Sequence, residues 1–240
     1  MVITGRDAGR LATAAARLGE TAQLGETGGG ISGPEIGTLV SDVAGPGSAE
    51  AALAAMGDRY GPPDVIVLNA GGPPPGRILD ITDQAWLAGA NLLLFGPLRL
   101  ARLALPGMAS RGFGRLIFIT STTVRQPQPD LAVSAVLRAS VTAAAKLLSL
   151  EHATDGVTVN CVAPGATDTQ RRRDVLAGRA ARAGVPLAEM HALDALQVPA
   201  GRPGTPDEIA AAVAFLASAD AGYINGTVLT VDGGRTESLL

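Results

Sequence analysis

The 240 residues are 47% hydrophobic and 17% charged with a formal net charge of −3, which supplies a large core and excludes a general nucleic-acid binder. Aromatic residues make up only 3%, so the core must be assembled from Ala, Leu, Val and Ile. A lone cysteine, Cys161, excludes an internal disulfide.

In chain order, runs rich in Val and Ile at residues 1–4, 37–40, 65–69, 116–120, 158–162 and 228–231 predict strands. Helical periodicity predicts helices over 10–18, 49–59, 84–110, 131–154 and 206–217. Residues 19–35, rich in glycine, read as a loop. Strand and helix alternate, which predicts a doubly wound, Rossmann-like α/β fold: a mostly parallel sheet of about six strands flanked by helices. The whole chain, 1–240, is expected to form a single domain, with a polar, lid-like insertion at about 170–202 beside the carboxyl ends of the strands. At Thr205-Pro206-Asp207-Glu208 a helix start is written out as cap, proline and two carboxylates.

The apolar stretch 88–109 is interrupted by Pro97, Arg99, Arg102 and Pro106 and falls short of the ~20 uninterrupted residues of a bilayer span. No secretion signal opens the chain, so a cytoplasmic protein without membrane association is expected.

Several motifs stand at regular spacing. Ser41-Asp42-Val43 ends one strand, and Asn69-Ala70-Gly71 follows the next, 27 residues after Asp42. Asn160-Cys161-Val162-Ala163-Pro164-Gly165 closes another strand, with Thr169 five residues after Pro164. Pro199-Ala200-Gly201-Arg202 and Val231-Asp232-Gly233-Gly234 bracket the last helix. From about residue 35 onward this sequence resembles the short-chain dehydrogenase/reductase superfamily, most closely its 3-oxoacyl-acyl-carrier-protein reductase-like members. The resemblance implies NADP as cofactor, with Asp42 and Val43 at the adenine, Asn69, Ala70 and Gly71 in the turn beneath it, and Pro164, Gly165 and Thr169 at the nicotinamide.

The first 35 residues depart from that pattern. Thr4-Gly5-Arg6-Asp7-Ala8-Gly9 satisfies the superfamily's TGxxxG literally, but Arg10-Leu11 stands where a small residue is needed for close approach to a pyrophosphate. The other reading makes this the second strand–helix junction, with Arg6 meeting the 2′-phosphate of NADP. Either way one strand–helix unit is missing, from the protein itself or because it lies upstream of Met1. On either reading residues 1–4 are expected to take the vacated central slot and pair with 65–68.

The resemblance also fixes the catalytic register. It places the superfamily's serine at Ser121, but Ser134 stands at the tyrosine position, Arg138 at the lysine position and Leu93 at the asparagine position, with Asn91 two residues early. Lys146, the only lysine, falls two turns beyond. A serine hydroxyl is too weak an acid to replace a phenol, and arginine holds its proton. Ser134 and Arg138 are therefore expected to bind or stabilise an oxyanion and not to shuttle a proton.

Asp130 is a candidate general base and Arg125 an anion contact, against the plainer reading of both as solvated loop residues. Arg171-Arg172-Arg173 opens the insertion as either a phosphate or carboxylate holder or an exposed helical turn. Met190 and His191 are candidate pocket residues. No metal site is expected, because His152 and His191 lack partners at ligand spacing.

These residues leave three functions open. The first is an NADP-linked carbonyl or alcohol oxidoreductase with weakened or absent nucleotide binding. The second is a cofactor-independent lyase, cyclase, isomerase or dehalogenase-like enzyme acting on a small carbonyl or anionic substrate. The third is a non-catalytic scaffold beside an intact homologue. Residues 131–154 occupy the superfamily's dimer-forming helix, which implies a homodimer or homotetramer.

Overall fold

A computed structural model describes residues 1–24 and 35–239. The chain gathers into two compact units, Met1–Pro62 and Pro63–Leu240.

The first unit comprises β1 (Val2–Gly5), α1 (Ala8–Leu24), β2 (Gly37–Val40) and α2 (Ser48–Tyr60). β1 lies parallel to β2, with Val2 opposite Gly37 and Gly5 opposite Val40, in a two-stranded sheet. The expectation that residues 1–4 pair with 65–68 is therefore wrong. The strand that follows across a single helical crossover is the partner, as is usual for consecutive parallel strands.

The predicted loop at 19–35 also begins too early. α1 runs on to Leu24, because after Gly19, at ~1 kcal/mol, and Thr21 the stretch holds the good helix formers Glu, Ala, Gln and Leu. Residues 25–34 of that loop lie outside the described residues. At the start of α1 the Asp7 carboxylate accepts the N–H of Arg10 at 2.9 Å, capping the helix.

The second unit follows as β3 (Val65–Leu68), α3 (Asp83–Ala90), α4 (Gly96–Ser110), β4 (Gly114–Ile119), α5 (Ala132–Glu151) and β5 (Val157–Pro164). The lid-like stretch supplies α6 (Gln170–Ala183) and α7 (Leu187–Leu196), and α8 (Pro206–Ala217) and β6 (Val228–Val231) complete it. Its four strands are all parallel in the order β3-β4-β5-β6, so β3 ends the sheet. This is the Rossmann-like, doubly wound plan. β5 is buried along nearly its whole length, as expected of a strand covered on both faces.

On one face Ile117 and Val162 pack with Leu216 of α8 and Ala221. In a separate cluster Leu93 packs with Val133 and Leu137 of α5, joined by Trp86 and Ile81. α5 approaches α3 so closely that a Cβ on Gly89 would fall 2.5 Å from Val133, which is why glycine stands there.

A π-helical turn at Asn91–Phe95 joins α3 to α4. By length and composition the continuous helix Asp83–Ser110 (mean hydropathy 1.3) and α5 (1.4) would each pass as a bilayer span, contrary to the reading of 88–109. The two arginines and two prolines do not break the helix. Its buried face, with Ala101, Ala104, Leu105 and Met108, instead covers the sheet alongside β4 and β5.

The start of α8 forms as written in the sequence. The Thr205 hydroxyl accepts from Glu208 N–H at 3.2 Å and the Glu208 carboxylate accepts from Thr205 N–H at 2.7 Å, closing a reciprocal cap.

Candidate functional site

The carboxyl ends of β3, β4 and β5 converge, as they must in a parallel sheet, and the residues just beyond them line a cavity of about 480 Å3 within the second unit. Asn69, Ala70, Gly71 and Gly72 enter from β3, and Ser121 from β4. Pro164, Gly165, Thr167 and Thr169 enter from β5. Ser134 and Arg138, one turn apart on α5, close it from the side.

Local geometry fixes each of these. Ser121 accepts the N–H of Thr123 at 3.2 Å and starts a short 3-10 turn. Thr169 accepts the N–H of Arg172 at 3.3 Å and caps α6. Asn160, in the motif that leads to Pro164, has a structural task. Its amide donates to Ile224 O at 2.7 Å and its carbonyl accepts from Thr227 N–H at 3.1 Å, pinning the approach to β6 beside β5.

Arg138 is the unusual member. Only 8% exposed, it donates to the carbonyl oxygens of Ile119 and, at 3.4 Å, of Ala70. Burial, and then the neighbouring charge of Arg171, push its pKa down to about 10, so it remains cationic near neutrality.

Five arginines line the cavity (138, 171, 172, 179 and 235) against one carboxylate, Asp194. Asp194 is 6% exposed and takes Arg172 at 2.7 Å and Arg235 at 3.2 Å, with Arg179 at 4.0 Å. This cluster escaped the sequence reading. Its one available signal is the seven-residue spacing of Arg172 and Arg179, which puts both on one face of a helix.

Of the predicted residues, Asp130 lies elsewhere. It lines a larger cleft of about 1430 Å3 that shares Thr122, Gln128, Arg179, Asp194 and Arg235 as a common wall with the cavity. Arg179 grips it at 2.7 and 2.8 Å and Arg182 at 3.3 Å. The Arg179 hydrogen bonds hold its carboxyl below the ordinary range, the wrong direction for a general base. It is also not the solvated loop residue of the plainer reading.

Met190 lines the same cleft, and Arg171–Arg173 divide three ways. Arg171 reaches the cavity, Arg172 serves Asp194, and Arg173 pairs with Asp168 at 2.7 Å on the surface. Arg125 donates to Val228 O at 3.3 Å and, with Lys146, borders another pocket.

Asn91 accepts from Arg99 at 3.2 Å and is absent from the cavity wall, while Leu93 is core. The Cys161 thiol is buried, and its pKa is raised to about 12 by burial. His152 contacts Asp155 at 2.9 Å. Arg6, Asp42 and Val43 belong to the first unit, where Asp42 accepts the N–H of Ala44 at 3.0 Å.

Residues 11–236 match the family described as Enoyl-(Acyl carrier protein) reductase. Over 196 residues, 82% of this chain and 76% of the relative, the sequence is 35% identical to the 3-oxoacyl-acyl-carrier-protein reductase FabG of Vibrio cholerae. The chain belongs to the short-chain dehydrogenase/reductase superfamily.

Among solved members, an actinorhodin polyketide ketoreductase variant crystallised with NADPH superposes with a TM-score of 0.90 at 31% identity, covering 99% of this chain and 87% of that one. An NADPH-bound short-chain oxidoreductase from Pseudomonas aeruginosa, described as containing an atypical catalytic center, superposes at 0.82 with 26% identity and the same coverage. The Vibrio cholerae and actinorhodin relatives are described as reductases.

Proposed function

We propose that this chain is a carbonyl oxidoreductase of the short-chain type that uses NADP(H) and handles the substrate proton without a tyrosine–lysine pair. The observation that carries the reading is the convergence of Ser121, Ser134 and Arg138 with Asn69–Gly71, Pro164–Thr167 and Thr169 on one cavity. The Pseudomonas neighbour, which holds NADPH beside an atypical centre, supports treating the substitutions as a modified site.

The residues fit the nicotinamide half of the cofactor. A Cβ on Gly71 would meet open space, leaving backbone that a ligand can approach, and Thr167 and Thr169 line the same wall. The pyrophosphate half fits less well, because the Asp7 carboxylate already occupies the N-terminus of α1, where a phosphate would be repelled. Two or three lost charge-assisted hydrogen bonds at ~1.5–3 kcal/mol each move a micromolar site to the millimolar range. If residues 4–9 are instead the second strand–helix junction, Arg6, which is exposed and makes no ion pair among the described residues, is available to a 2′-phosphate.

NADPH, when bound, supplies the hydride. Arg138 would hold the carbonyl oxygen as negative charge grows on it, its own proton retained. Ser121 and Ser134 would orient that oxygen by hydrogen bonds. The proton that completes the alcohol would come from water in the adjoining cleft, since neither side chain at 134 or 138 releases one readily at neutral pH.

Titration with NADPH and with NADH, followed by fluorescence and thermal shift, tests the reading. Millimolar-range binding that favours NADPH, with ketone-dependent NADPH consumption, is the expected result. Absence of binding at ~10 mM nucleotide, the upper end of the range just argued, would sink it. Turnover without nucleotide would favour the second reading, a cofactor-independent enzyme built on Ser121 and Arg138, which the Asp7 cap favours.

The proposal includes self-association through α5, supported by the solvent-facing Val136, Leu147 and Leu150 on that helix.

A further inference from the structure

Three of the five arginines around the cavity are matched by carboxylates: Arg172 and Arg235 by Asp194, and Arg179 by Asp130. Arg138 and Arg171 are not. Arg138 bonds only to the carbonyl oxygens of Ile119 and Ala70, and Arg171 donates to the carbonyl of Pro73 while its side chain lies over Gly72, 2.6 Å from where a Cβ would stand. Neither forms an ion pair with a described residue.

Two guanidinium groups face one cavity, the charge of Arg171 disfavouring that of Arg138, and Asp174, which attracts Arg171 without pairing with it, is absent from the cavity wall, so positive potential is left there. Carbonyl oxygens satisfy individual N–H groups but carry no full negative charge. Each planar fork matches the two oxygens of a carboxylate, and the serine hydroxyls on the same wall add donors.

We propose that the cavity is a carboxylate subsite in which Arg171, aided by the nearby charge of Arg138 at the carbonyl, holds the anionic end of a small oxo-acid substrate. The inference rests on the cavity being the substrate site of the proposed reductase and narrows the substrate to carbonyl compounds that carry a carboxylate. Leu131, Val175 and Leu176 on the same wall supply apolar surface for a short chain beyond the charged end.

Binding of acetoacetate, its methyl ester and inorganic phosphate to the full chain, by calorimetry with and without NADPH, provides the test. Acetoacetate is expected to bind at least about tenfold more tightly than the ester, and Arg171→Gln and Arg138→Met are each expected to abolish that preference. Arg171→Gln serves if Arg138→Met misfolds, since Arg171 is half-buried at a helix start.

Equal binding of acid and ester in both conditions overturns the proposal, as does a preference that survives both substitutions. Phosphate bound in place of acetoacetate overturns the carboxylate assignment. Because binding is read without nucleotide as well as with it, a preference for acetoacetate stands even if NADPH fails to bind, and NADPH binding stands even if the preference is absent.

Discussion

At the scale of single residues, Arg138 is a buried cation whose cost the fold bears. Replacing it by a similarly sized apolar side chain, as in Arg138→Met, removes the desolvated charge but also the donor to the Ile119 and Ala70 carbonyls, so the net gain in unfolding stability at pH 7 is expected to be small, about 1 kcal/mol. Chemical denaturation measures it, and a clear loss of stability would contradict the reading. The pH dependence has a definite sign. The folded value of about 10 lies below the ordinary arginine range, so above pH 10 the unfolded chain holds this proton more tightly. The wild-type deficit should therefore shrink as pH rises above 10, and binding of any anion to Arg138 should weaken over the same interval.

Gly156 gives a second residue-scale expectation. Its φ is 72° and a Cβ would lie 2.1 Å from Gly112 O, so Gly156→Ala should cost about 2 kcal/mol or more in the same denaturation measurement.

Elements were read best where local chemistry decides them. The Thr205–Glu208 cap of α8 was legible because capping is a matter of adjacent side chains. Thr205→Ala should lower stability by about 1 kcal/mol, and a change near zero by denaturant midpoint would contradict that assignment.

The strands and the cavity wall were legible for a similar reason: apolar runs ending in Asn69–Gly71, Ser121 and Pro164–Thr169 sit at strand ends whatever else the chain does. What escaped depended on contacts between distant segments. Nothing near Asp130 in sequence shows that Arg179 and Arg182, some fifty residues away, will hold it. The partner of β1 was misjudged because pairing was argued from a vacancy in a family pattern and not from the crossover that joins β1 to β2.

For the whole molecule, α5 does two jobs on opposite sides. Val133, Leu137, Arg138 and Val141 face inward, while Val136, Leu147 and Leu150 face outward at helical spacing. If the proposed self-association uses that outer face, Leu147→Glu together with Leu150→Glu should reduce the assembly to monomers. Light scattering would detect the change, and an unaltered mass would exclude α5 as the interface.

The sheet of the second unit stops at β3, whose Val65 and Val67 are 39% and 44% exposed. Within its own sheet, a terminal strand of this kind has a strand neighbour along one margin only. On heating or crowding, the other margin is where chains would begin to stick together, by templated strand addition, long before the buried β5 at the sheet's interior is disturbed.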